Sequence, residues 1–172
     1  GVRQSGVVHK MNFTTLGETV FRGNATVENG KFEIEFMVPK DIKLAIGEGK
    51  VSMYATKDGE AIDDFVVANT AIKIGGINNE AAEDNKAPEI KLYMNDESFI
   101  YGGITNASPL FLAVVEDENG INTASGIGHD MVAILDGDVN NPIVVNEFYE
   151  TEANNFRKGY VKYPFKDLEP GV

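Results

Sequence analysis

Across residues 31–38 the chain alternates with a period of two: Phe32, Ile34, Phe36 and Val38 fall on one side, Lys31, Glu33, Glu35 and Met37 on the other. A β-strand turns successive side chains to opposite faces, so this run fits a half-buried strand and not a helix. Asn29 and Gly30 precede it and tolerate positive φ, as the two centres of a type I′ turn require. The pattern therefore predicts a hairpin joining residues 24–27 to residues 31–38. Pro39 then ends the ladder by removing a donor. Further apolar or alternating runs predict strands at residues 7–13, 50–56, 65–74, 89–94, 110–116, 131–136, 143–148 and 160–165. Strands of about five to eight residues with turn signals every roughly 8 to 12 are the pattern of a β-sandwich.

Residues 75–87, GGINNEAAEDNKA, hold no bulky apolar side chain after Ile77 and end against Pro88, which reads as a linker. The chain has 172 residues, enough for two small domains that each bury a core. The expected architecture is all-β: an immunoglobulin-like or fibronectin-like β-sandwich over residues 1–80, a linker at 81–87, and a second such sandwich over 88–172.

Charge and composition remove several function classes. A formal net charge of −12 opposes nucleic-acid phosphates and anionic lipid headgroups, so neither is an expected partner. No apolar run approaches the roughly 20 residues that span a bilayer, so direct membrane insertion is not expected. The chain contains no cysteine, which excludes disulfides, thiolate metal sites and a thiol nucleophile within it.

His9 and His129 are its only imidazoles. A cysteine-peptidase dyad needs a thiol beside its histidine, and there is none. Asp130 follows His129 and has the chemistry to orient the ring as in a metal or base site, but a loop histidine held by backbone bonds explains the pair as well. Asp136, Asp138 and Asn140 are spaced like the first ligands of an EF-hand loop, with Glu147 at the twelfth position. Asn141 stands at the sixth position, where that loop needs glycine, Pro142 follows, and both flanks read as strands, so residues 136–142 are better read as a hairpin loop. The acidic turn 116–120, with Asp96 or Asp136, has the composition of an interdomain calcium site, and a solvated acidic surface explains it equally. Gly102 and Gly103 lead into Pro109 and a β run, which makes a tight turn and not a phosphate loop. Phe148, Tyr149, Tyr160 and Tyr163 suit glycan stacking or a sandwich core. No catalytic, cofactor-binding or metal residue is assigned on these grounds.

Long ordered words in the chain resemble the gingipain-type cysteine peptidases, in the region downstream of the catalytic domain of the sortases of the Bacteroidetes type IX secretion system. They are GVVHK (6–10), VFRGNATVENGKFEIEFMVPKDI (20–42), GEGKVSMYA (47–55), PEIKLYMND (88–96), GGITNASP (102–109), EDENGINTASGIGHDMVAILDG (116–137) and YVKYPFKDLEPG (160–171). Two departures stand out. The link at residues 16–19 is shorter than the family's usual connection, and the family pattern continues past the LEPG-like word, so the second sandwich is expected to lack its last strands. The resemblance implies a non-catalytic segment that orients or docks an upstream peptidase domain. The parent would remove C-terminal targeting domains from secreted cargo, using a histidine and cysteine outside this chain. The implied partners are that peptidase domain, other outer-membrane secretion components and the parent's cargo, and the implied location is the cell surface or outer membrane. No cofactor is implied. A free-standing surface adhesion or glycan-binding module, or a calcium-rigidified spacer, are the alternatives.

Overall fold

The computed structural model describes residues 2–4, 7–9, 19–38, 46–56, 65–69, 71–81, 83–123 and 130–170. The fold is all-β, built from antiparallel, unclosed sheets of a sandwich-like kind. The chain divides into two compact units, Gly1–Phe36 with Pro88–Val172, and Met37–Ala87. The division at Pro88 falls at the end of the expected linker, whereas the one after Phe36 lies within the expected first domain.

In the first unit, β1 (Val2–Gln4) pairs with β2 (Val7–His9). In the second, β3 (Gly47–Glu48) pairs with β6 (Lys73–Ile74), and β4 (Val51–Ala55) with β5 (Phe65–Asn69). Gly49 extends the β3 edge by donating to the Ile72 carbonyl at 3.0 Å. None of this unit's described side chains is fully buried.

The main sheet belongs to the first unit. It is formed by β7 (Glu89–Met94), β8 (Leu110–Glu116), β11 (Tyr149–Glu152) and β12 (Asn155–Pro164) in the order β11-β12-β8-β7. The short pair β9 (Val132–Ala133) and β10 (Ile143–Val144) forms a separate hairpin. Leu112, Ala113, Val114 and Val115 of the central β8 are all buried, as a strand covered on both faces requires. Ala113 and Val115 join Val161, Tyr149 and Val145 in the core, against which Met131, Ala133 and Ile143 of the β9–β10 hairpin pack. Leu112 and Val114 face the other way, flanked in register by Tyr93, Lys91, Lys162 and Tyr160. Long lysine stems and tyrosine rings cover apolar surface while their polar ends reach water.

The hairpin expected at residues 24–38 forms at its tip alone. Asn29 (φ 51) and Gly30 (φ 76) occupy the left-handed region, and Glu28 and Lys31 exchange backbone bonds of 2.9 and 3.0 Å. Beyond that single bridge no ladder forms among the described residues of this stretch, and Phe32, Ile34, Phe36 and Val38 are exposed. Residues 131–136 give only the two-residue β9, and a 3₁₀ turn, Asn146–Phe148, replaces the end of the expected strand at 143–148. Conversely, β12 starts at Asn155, five positions before the expected residue 160, and β11 is a strand that the periodicity did not indicate. Its turn to β12 is set by Asn154 at φ 60, a conformation asparagine tolerates.

Candidate functional site

His9 ends β2, and His129 lies outside the described residues, so the His129–Asp130 pairing does too. Of the EF-hand-like acids, Asp138 and Glu147 have separate partners. Asp136 (φ 50) and Gly137 (φ 73) form a tight turn closed by the Asp138 amide donating to the Leu135 carbonyl at 2.9 Å. Asp138 then accepts from the Asn140 amide at 3.1 Å and from Asn141 Nδ2 at 2.7 Å, while Glu147 is held by Arg22. The loop between β9 and β10 is therefore a hairpin loop stabilised by its own carboxylate. In the other acidic turn, Asp117 is buried and accepts from the Asn119 amide at 2.7 Å. Asp96 accepts from the Ser98 hydroxyl and amide, and these bonds hold its carboxyl below the usual range. Among the described residues, no group of three His, Asp or Glu side chains converges as a metal cage would require.

The aromatic candidates are engaged in packing. Tyr149 is buried in the core, and Phe148 meets the Tyr163 ring edge-on at 4.8 Å between centroids. Tyr163 in turn packs edge-on against Phe165 at 5.2 Å. Tyr160 has the ammonium groups of Lys158 and Lys162 at 5.6 and 5.7 Å from its ring centroid. Because these lysines stand two residues before and after it on one strand face, they flank the ring and compete for any sugar that would stack there.

A polar constellation lies at the β11–β12 hairpin. Glu152 accepts from the Tyr160 hydroxyl at 3.0 Å and from Asn155 Nδ2 at 2.9 Å, with Lys158 Nζ 3.3 Å away. Asn155 first, then Tyr160 and Lys158, hold the Glu152 carboxyl below its ordinary range. Tyr160 and then Glu152 hold Lys158 above its own. Donors and acceptors are matched inside the cluster, which favours the charged forms and contains neither a thiol nor an imidazole. Its bonds join β11 to β12 and help keep the hairpin closed.

A second set of contacts, absent from any sequence motif, ties residues 20–26 to Thr123, to the 3₁₀ turn and to the tip of the same hairpin. Arg22 donates to the Glu147 carbonyl at 3.0 Å and to its carboxylate at 2.9 Å. Thr123 donates to the Val20 carbonyl at 3.0 Å, and Asn154 donates its amide to the Asn24 carbonyl at 3.1 Å. Thr26 and Asn154 are joined twice, backbone amide to Oδ1 and Nδ2 to Oγ1, both at 2.9 Å. Partners more than a hundred positions apart leave no local signal. The asparagine at a positive-φ turn was the one legible hint.

Fold and polar side chains together define an acidic all-β chain in which the polar contacts described above join its own strands and loops. Among the described residues, no helix is long and apolar enough to cross a membrane. No protein-family model matches the chain, and no curated protein does. Among solved structures, the chain is similar to the crystal structure of dimeric latent PorU from Porphyromonas gingivalis, at 34% identity and a TM-score of 0.48, over 84% of this chain and 14% of that one. It thus spans a small part of that protein's length.

Proposed function

We propose that this chain is a non-catalytic β-sandwich segment of a PorU-like, gingipain-family cysteine peptidase, and that it orients or docks the peptidase domain upstream of it. What carries this reading is the series of long words, from residue 6 to residue 171, that resemble that region of the family in order, in a chain with no cysteine. A polypeptide without a thiol has no nucleophile for that chemistry, so its part in the parent is structural. The hairpin cluster and the residue 20–26 contacts agree with such a role, since they tie strands and loops of the first unit together.

In this reading the parent is exported to the cell surface and removes C-terminal targeting domains from secreted cargo. The peptidase domain is the first partner, through surface contacts that need no cofactor. Calorimetric titration of the separately produced peptidase domain with this chain tests the docking role. Saturable binding is expected, and no heat at concentrations up to the millimolar range would contradict it.

A further inference from the structure

The main sheet ends in β7, and that edge is complementary to itself. Among the described residues β7 is paired on one side only, in the order β11-β12-β8-β7. The Asn95 amide donates to the Leu110 carbonyl at 2.7 Å, in register with the β7–β8 ladder. In an antiparallel ladder this sets the parity: odd-numbered residues turn their backbone groups to β8, and Ile90 and Leu92 turn theirs outward. The side chains of Ile90 and Leu92 lie on the core face, opposite Val115 and Ala113, yet are 57% and 62% exposed. On the other face Lys91 Nζ stands 2.9 Å from the Glu89 carboxylate, one cation and one anion side by side along the open edge. The unpaired backbone row of an edge is a template for another strand, and edge charges admit only a strand whose own charges are complementary.

We propose that β7 pairs antiparallel with β7 of a second copy of this chain, about a two-fold axis passing through Ile90. In that register Ile90 of each copy exchanges both backbone bonds with its mate, and the Leu92 amide donates to the Pro88 carbonyl of the other copy. Pro88, having no N–H, ends the ladder there. Glu89 of each copy faces Lys91 of the other, so the charges are complementary twice by symmetry. Centring the axis on Lys91 would oppose two lysines, and centring it on Leu92 would set Glu89 against Asn95 with no cation. Charge therefore selects the Ile90 register, which also joins the exposed apolar residues of the two core faces.

Light scattering over a concentration series of the 172-residue chain tests this. The mean mass rises with concentration toward that of two chains. Lys91→Glu turns both cross-copy pairs repulsive and weakens association by about tenfold. Glu89→Lys does the same, and the combined E89K/K91E chain recovers the original association because its charges are again complementary. Ile90→Pro removes an outward amide and leaves the β8 side of the strand intact, so it abolishes the dimer with an unchanged far-ultraviolet dichroism spectrum. A one-chain mass at every concentration, or an association that ignores Ile90→Pro or is not recovered in the charge-reversed chain, overturns the proposal.

Discussion

Tyr149 and Gly159 show how closely single residues fit in this sheet. A Cβ added at Gly159 would stand 2.3 Å from the Tyr149 hydroxyl and 2.6 Å from the Glu150 carbonyl, one of them backbone that has little room to move. Gly159→Ala is therefore expected to cost about 1–3 kcal/mol, read from urea unfolding. The Tyr149 hydroxyl is buried without a hydrogen-bond partner among the described residues, and burial pushes its ionisation well above the ordinary phenol range. Tyr149→Phe is expected to stabilise the chain by about 1 kcal/mol, since it removes a polar group that forfeits its hydration. The phenol also gives a sign for pH dependence. Its folded value is raised, so its contribution is complete below the unfolded value near 10 and is lost as pH rises beyond it. Tyr149→Phe should flatten that alkaline loss in a series of melting curves. Glu152 works in the opposite sense: its folded value is lowered, so its contribution is present above the unfolded carboxylate value and disappears as pH falls through the folded one. Glu152→Gln should remove that part of the acid sensitivity. A larger acid sensitivity in the variant would contradict the cluster described at the hairpin.

At the scale of elements, what was legible depended on whether a signal is local. The Asn29–Gly30 and Asp136–Gly137 turns were readable because positive φ is a property of the residues themselves. β8 was readable because four successive apolar residues must be covered on both faces. The ladder expected after Lys31 did not form, because alternation states which face wants burial and not which strand supplies the pairing. β11 escaped notice because Thr151, a polar residue, is one of its buried positions, while Tyr149 stands alone as its large apolar residue. The contacts of residues 20–26 were beyond reach, as they join side chains far apart in sequence. They make a prediction of their own. Asn154→Gly keeps the turn at φ 60 but loses the double bond to Thr26, and is expected to cost about 1 kcal/mol. Asn154→Ala adds the strain of a left-handed Cβ, roughly 1 kcal/mol more. Equal stability of the Gly and Ala variants would contradict the positive-φ turn.

For the whole molecule, the net charge of −12 acts as self-repulsion that any electrolyte screens. Since the acids at Asp96, Asp117 and Asp138 accept bonds from their own turns, sodium and calcium salts at matched ionic strength should raise the melting temperature alike. A rise specific to calcium and reversed by chelation would favour a calcium-rigidified spacer instead. All-β architecture and the lack of a thiol were plain from the sequence, whereas the grouping of residues 1–36 with 88–172 was not, since it depends on which distant segments meet once the chain is folded. Under the proposed function this acidic sandwich supports a peptidase without being one. The most direct test is to incubate cargo bearing its C-terminal targeting domain with this chain alone, with the parent peptidase, and with the parent lacking this segment. Cleavage by the intact parent, none by the chain, and reduced cleavage by the shortened parent is the predicted result. Cleavage by the chain itself, or full activity in the shortened parent, would contradict it.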